Sequence, residues 1–148
     1  MKVGSMNVLF GGRPLEEALK FFDSIDIHDL EIGAGGNPGK AHCNPEVLLS
    51  DKAAYDKFVE TFKKYNMTIN ALACHGNPVH PNKEIAAMYH NDFENAVLLA
   101  EKLGVKKIIG FSMMDSGVYL FLAAKGYIEG LNLLSSMRLC SNVPAQSI

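Results

Sequence analysis

Ile27-His28-Asp29-Leu30-Glu31-Ile32-Gly33-Ala34-Gly35-Gly36-Asn37-Pro38-Gly39 is the stretch that decides the fold. A strand is expected over about 27–34, where Leu30, Ile32 and Ala34 alternate with other residues and run directly into a glycine- and proline-rich turn. Upstream, residues 3–10 form an apolar run closed by Gly11-Gly12 and predict a first strand. Pro14 suits the first position of a helix, and Glu16 and Glu17 fall in its first turn, where the helix dipole favours anions. Leu15, Ala18, Leu19 and Phe22 then recur at helical spacing and predict one buried stripe.

Downstream, Ser50 or Asp51 can cap a second helix, with Ala54, Phe58, Phe62 and Tyr65 on its apolar face and Lys63 and Lys64 in its last turn. A third strand is expected over 68–74. Asn82 is placed to cap a long helix reaching Leu103 and stopped by Gly104, with Ile85, Met88, Ala96, Leu99 and Leu103 buried. A fourth strand is expected over 105–112. Four strands alternating with three amphipathic helices imply right-handed parallel βαβ units. Either an α/β barrel or an open doubly wound sheet would satisfy that order. The turn Phe10-Gly11-Gly12-Arg13-Pro14 lacks the GxGxxG of a dinucleotide fold, and no GxxxxGK[ST] occurs.

Composition narrows the classes further. The chain has 148 residues, 48% hydrophobic and 20% charged, which suits a folded domain but is short for a whole eight-fold barrel of about 250 residues. A net charge of −2 offers no electrostatic footprint for nucleic acid or an anionic membrane. The three cysteines, Cys43, Cys74 and Cys140, are odd in number and show no CxxC spacing, which favours a reducing compartment over a disulfide framework. The first residues lack the apolar run of a signal peptide, and no stretch is long enough to span a bilayer, so a cytoplasmic protein is expected.

The character changes after residue 112. Residues 113–148 hold 20 hydrophobic and only four charged residues among 36, whereas residues 1–112 carry 26 charges, about twice the density. The helical wheel is apolar on every side there, and no strand–helix alternation continues. The expected organisation is a half barrel over 1–112 followed by a divergent tail over 113–148, either helical or foreign to the first segment.

Strand periodicity sorts the polar candidates. Asp29, Glu31 and Gly33 share one face of the second strand and Leu30 and Ile32 the other; Ala71, Ala73 and His75 share a face of the third. In a parallel barrel the site lies at the C-terminal strand ends, so Glu31, His75 and Ser112 are expected to converge there. His75 reads either as a ligand for a metal or polar substrate, or as a core histidine bonded to a carbonyl. Glu31 reads as a site carboxylate or as one paired within the barrel, because an unpaired buried carboxylate is costly. His42, Asn77 and His80 lie in loops on the same side, as substrate contacts or as turn residues. Cys74 faces the helices, as a buried inert thiol.

The segments Leu30-Glu31-Ile32-Gly33-Ala34-Gly35-Gly36, Gly39-Lys40-Ala41-His42-Cys43 and Ala73-Cys74-His75-Gly76-Asn77-Pro78-Val79-His80-Pro81-Asn82 together resemble the sugar phosphate isomerase/epimerase family. Leu99-Ala100-Glu101-Lys102-Leu103-Gly104-Val105, leading into Ile109-Gly110-Phe111-Ser112, also looks like the third helix and fourth strand of that family. The resemblance covers about residues 1–112 and implies the N-terminal half of a (β/α)8 barrel of the xylose-isomerase-like type. It implies a divalent metal (Mn, Mg, Co or Zn), a sugar or sugar phosphate substrate, and proton transfer beside the sugar carbonyl. Glu31, His42, Asn77, His80 and Ser112 are then substrate-side positions and His75 a metal ligand, as a histidine at this strand end is in the endonuclease-IV-like branch. The remaining metal and acid/base residues belong to the second half of such a barrel. The chain alone is therefore expected to be inactive, and the catalytic residues are not assigned.

Two accounts fit the departure after Ser112: a truncated or frame-shifted coding sequence, or a half barrel that pairs with another copy through its open edges. The competing functions are an endonuclease-IV-like metal-dependent phosphoesterase, which the absence of a basic stripe opposes, and a non-catalytic half-barrel assembly module.

Overall fold

The computed structural model describes residues 3–110. A parallel sheet contains β1 (Gly4–Met6), β2 (Asp29–Gly36), β3 (Thr68–His75) and β4 (Ile108–Ile109), adjacent in chain order. The connections carry α1 (Leu15–Ser24), α2 (Pro45–Ser50), α3 (Lys52–Lys64) and α4 (Lys83–Leu103). The described residues are thus α/β with a four-stranded parallel sheet, as the alternation implies.

One face of the sheet and the helices make a single core. Leu30, Ile32 and Ala34 of β2 and Leu72 and Cys74 of β3 pack in one buried cluster with Ala18, Leu19 and Phe22 of α1, Phe58 and Phe62 of α3, and Ala96, Leu99 and Ala100 of α4. Burying a large apolar side chain contributes about 1.5–3 kcal/mol, so this stripe-on-face packing dominates stability. Asp29, Glu31, Gly33, Ala71 and Ala73 fall outside that cluster, on the alternate positions.

The helix boundaries reflect local chemistry. The Asp51 carboxylate accepts from the Ala53 and Ala54 amides and starts α3. Ser50 instead closes α2 by donating to the Glu46 carbonyl at 2.6 Å. The Asn82 side chain accepts from the Glu84 and Ile85 amides, and α4 stops at Gly104, whose φ is 72°.

Four expectations need correction. The first strand stops at Met6, and Asn7–Phe10 forms a 3-10 turn. Asn7 causes this: its side-chain Oδ1 takes the Gly33 amide at 3.4 Å, so a side chain replaces the next rung after the Met6–Glu31 pair. The helix α2 is additional to the three expected; Asn44 caps it through the Glu46 amide and Pro45 preorganises its first turn. The fourth strand is confined to Ile108–Ile109 within the described residues, preceded by a Leu72 amide bond to the Lys107 carbonyl at 3.0 Å. Met88 is 51% exposed rather than buried, whereas Asp92, one turn on, is buried. The divergent tail over 113–148 lies outside the described residues. No helix among the described residues is long and apolar enough to cross a membrane.

Candidate functional site

The C-terminal end of the sheet is a rim built from β2, β3 and the loops that leave them. The β2 backbone slips register between Gly33 and Gly35, and Gly36 pairs with His75. Such a bulge bends a strand and redirects the chain beyond it. Gly36 has φ 61°, and a Cβ there would sit 2.1 Å from the His75 carbonyl oxygen, so only glycine permits this approach. The Asn37 amide then donates to that same carbonyl at 2.7 Å, and the loop closes on itself through Gly35 N–H to Gly39 O at 3.1 Å.

Beneath the loop lies a partly buried charge pair. Asp92 of α4 is only 7% exposed. Its Oδ2 accepts from the Gly36 amide at 3.0 Å and its Oδ1 from the Lys40 ammonium at 2.7 Å. Lys40 also reaches Glu46 Oε1 at 3.4 Å. The hydrogen bond from Lys40 to Asp92 holds the lysine pKa above its usual value, against a smaller opposing effect of burial. With two carboxylates around one ammonium the cluster is net negative, which makes it a poor seat for a substrate phosphate.

The expected site residues do not all meet. His75 ends β3 at the rim, half-buried. Glu31 is the third residue of an eight-residue strand and pairs with Ala71. His75 lies four residues beyond Ala71, about 13 Å along the strand at about 3.3 Å per residue. The expected convergence of Glu31 with His75 is therefore corrected: β2 begins and ends two residues later than its hydrophobic pattern implies. Glu31 lines a groove near the N-terminal end of the sheet with Ser5, Asp29, Asn70 and Lys107. Ser112 lies outside the described residues.

The loop candidates are engaged by the protein. His42 Nε2 lies 2.7 Å from the Arg13 carbonyl, an acceptor only, so Nε2 carries the proton. Its Nδ1, 2.9 Å from Asn7 Nδ2, then accepts from that amide in the neutral ring. His42 thus straps the loops after β1 and β2 together. Asn77 Oδ1 accepts from the Val79 amide at 3.1 Å, and His80 Nδ1 from the Asn82 amide at 3.0 Å. Both shape the turn into α4. Burial pushes the Cys43 thiol up to about 12 and, with the nearby Asp92 charge, Cys74 up to about 11, so neither is a nucleophile at neutral pH.

Among the described residues no group of three or more His, Cys, Asp or Glu side chains is arranged to hold a metal. His75 alone does not make a centre, so these residues do not by themselves fit the metal that the family resemblance implies.

Sequence reasoning passed over Asn7, Lys40 and Asp92. Two of them carried a signal. Asn7 interrupts the apolar run Met6 to Phe10, and Asp92 occupies the one gap in the stripe Ile85, Met88, Ala96, Leu99, Leu103. A polar residue at a core position is the informative exception to patterning.

No family model matches the chain. It is similar to the uncharacterized protein YfiH of Bacillus subtilis (strain 168), 33% identical over 117 residues, which are 79% of this chain and 37% of YfiH. A stretch of 23 residues, 16% of the chain, is 83% identical to the glutamate-pyruvate aminotransferase AlaA of Escherichia coli (strain K12), of which it spans 6%. The chain thus spans little more than a third of YfiH and a small fraction of AlaA. Twenty-three residues fall well below the about 40 under which a chain usually needs metals, disulfides or oligomerisation to fold, so that match carries no fold.

Proposed function

We propose that residues 1–112 are the first half of a (β/α)8 barrel of the sugar phosphate isomerase/epimerase type, and that this chain has no turnover of its own. The observation that carries the reading is topological. The strands succeed one another in chain order, with α1, α3 and α4 packed against one face. A doubly wound sheet reverses its strand order and covers both faces, whereas a barrel advances in one direction with its helices outside. YfiH, at about 300 residues from the matched share, has room for a full barrel of about 250.

In this reading the rim bearing His75, Asn77 and His80 is the substrate end. Its further donors and the acid/base carboxylates lie in the second half that longer relatives carry. No metal-borne step is assigned to the described residues. Their contribution is a rigid loop, an imidazole at the strand end and a turn fixed by Asn77 and His80.

The test is solvent exchange. YfiH and this chain would each be incubated in D2O with divalent metal and a panel of aldose and ketose phosphates and free sugars, and deuterium beside the carbonyl read by NMR. The reading expects exchange with YfiH that a chelator abolishes, and none with this chain. No exchange by YfiH across the panel, or chelator-resistant exchange, would overturn it.

A further inference from the structure

Lys40 and Asp92 are the ionised groups that the chemistry above leaves unused, and they stand under the rim loop. Asp92 divides its two oxygens: one holds a backbone amide of the loop, the other a side chain from the end of the same loop. The carboxylate therefore ties Gly36 and Lys40, four residues apart, to a fixed point on α4. Between them Asn37 donates to the His75 carbonyl and Gly39 to the Gly36 carbonyl at 3.0 Å. The space around Gly35 shows how closely this is packed: a Cβ there would lie 3.0 Å from Cys74 Sγ and 3.1 Å from Asp92 Cβ.

We infer that Lys40 and Asp92 act as a positioning pair, holding the end of β2 and the turn that follows it, residues 36–40, down on the end of β3 so that the backbone bearing His75 is fixed at the rim. The inference rests on the reading of that rim as the functional end. Lys40 is a clamp and not a substrate ligand, because its ammonium is already shared between Asp92 and Glu46, at 2.7 and 3.4 Å. The upward shift of the Lys40 pKa, caused chiefly by its hydrogen bond to Asp92, agrees with this. A carboxylate that accepts from both an ammonium and a backbone amide forms the stronger, charge-assisted kind of hydrogen bond.

Gly36 and Asn37 separate positioning from mere local bonding. The Gly36 amide bonds Asp92 directly, whereas the Asn37 amide bonds His75. The test is amide hydrogen exchange by NMR on the full chain, comparing the unmodified protein with K40M, D92N and D92A, with the Leu72 amide as reference for global opening. K40M and D92A are expected to speed exchange at Gly36 and Asn37 at least tenfold relative to Leu72, and to shift the His75 ring resonances. D92N, which keeps an acceptor for Gly36 but loses the charge, is expected to restore Gly36 more than Asn37.

The inference is overturned if Asn37 keeps its protection in K40M and D92A, or if all amides including Leu72 accelerate together. Should D92A fail to fold, K40M and D92N still decide between these outcomes. Absence of solvent exchange in YfiH would overturn the sugar-isomerase reading but leave these exchange rates unchanged, so the two failures are distinguishable.

Discussion

Replacing Gly36 by alanine probes the rim most directly, and Gly39 supplies its control. Both residues have positive φ, 61° and 71°, so alanine at either costs about 1–2 kcal/mol for the left-handed backbone. At Gly39 the new methyl meets nothing within 4 Å, and the cost ends there. At Gly36 it would lie 2.1 Å from the His75 oxygen, so the two strands must part by nearly an ångström. That separation breaks the Asn37–His75 bond, worth about 1 kcal/mol, and strains the amide bond to the Asp92 carboxylate, worth about 1.5–3 kcal/mol. The expected loss is then about 4–6 kcal/mol for G36A against about 1–2 for G39A. Urea unfolding monitored by circular dichroism reads the difference. At a slope of about 1.5 kcal/mol per molar, the midpoint falls by roughly 3 M for G36A and about 1 M for G39A. Equal midpoints for the two variants would refute the claim that Gly36 is required by the approach of β2 to β3.

Other consequences can be measured on the same chain. Because the folded pKa of Lys40 is raised, its contribution to stability is complete below the unfolded value of about 10.5 and is lost as pH rises through the folded value. Stability above pH 10.5 should therefore fall more steeply in the unmodified protein than in K40M, and parallel curves would contradict this. In a Cys140→Ser background, Cys43 and Cys74 should react with a disulfide reagent at pH 8 about a hundredfold more slowly in the native protein than in urea, since a pKa near 11 or 12 leaves little thiolate. Fast native labelling would count against their burial. Nitrogen-15 spectra should show His42 as the Nε2–H tautomer in its neutral form; the Nδ1–H tautomer would break the proposed strap to Arg13. Asn82→Ala should lower stability by about 1 kcal/mol through loss of the cap on α4, measured by thermal unfolding.

Periodicity and punctuation conveyed most of the fold. The stripes on α1 and α3, the caps Asp51 and Asn82, the stop at Gly104 and the core-facing parity of β2 and β3 all agree with the residues that produced them. These are local rules, and the local sequence is sufficient to state them. The failures depended on long-range partners. Strand β1 ends early because the Asn7 side chain bonds Gly33, 26 residues away. Glu31 is expected too near the rim because glycine carries no hydrophobic signal, so Gly35 and Gly36 look like loop when they are the last two residues of β2. The Lys40–Asp92 pair spans 52 residues and leaves only one trace, an acid in an apolar stripe.

The displacement of Glu31 also changes what the face of the sheet outside the helix-packed core can do. A barrel concentrates chemistry at the C-terminal strand ends and stability at the other end. Glu31, Asp29, Asn70 and Lys107 line a groove near the N-terminal end of the sheet, and Lys107 Nζ already reaches Asn70 Oδ1 at 3.4 Å. In a barrel these groups would belong to the layer at the end opposite the site. The rim then has His75 as its one described strand-end side chain of catalytic type. A catalytic pair of carboxylates cannot be assembled from Glu31 and the rim across about 13 Å of strand. If the chemistry is proton transfer, Glu31 is too far from the rim to take part, and the Asp92 and Glu46 carboxylates there are already engaged by Lys40.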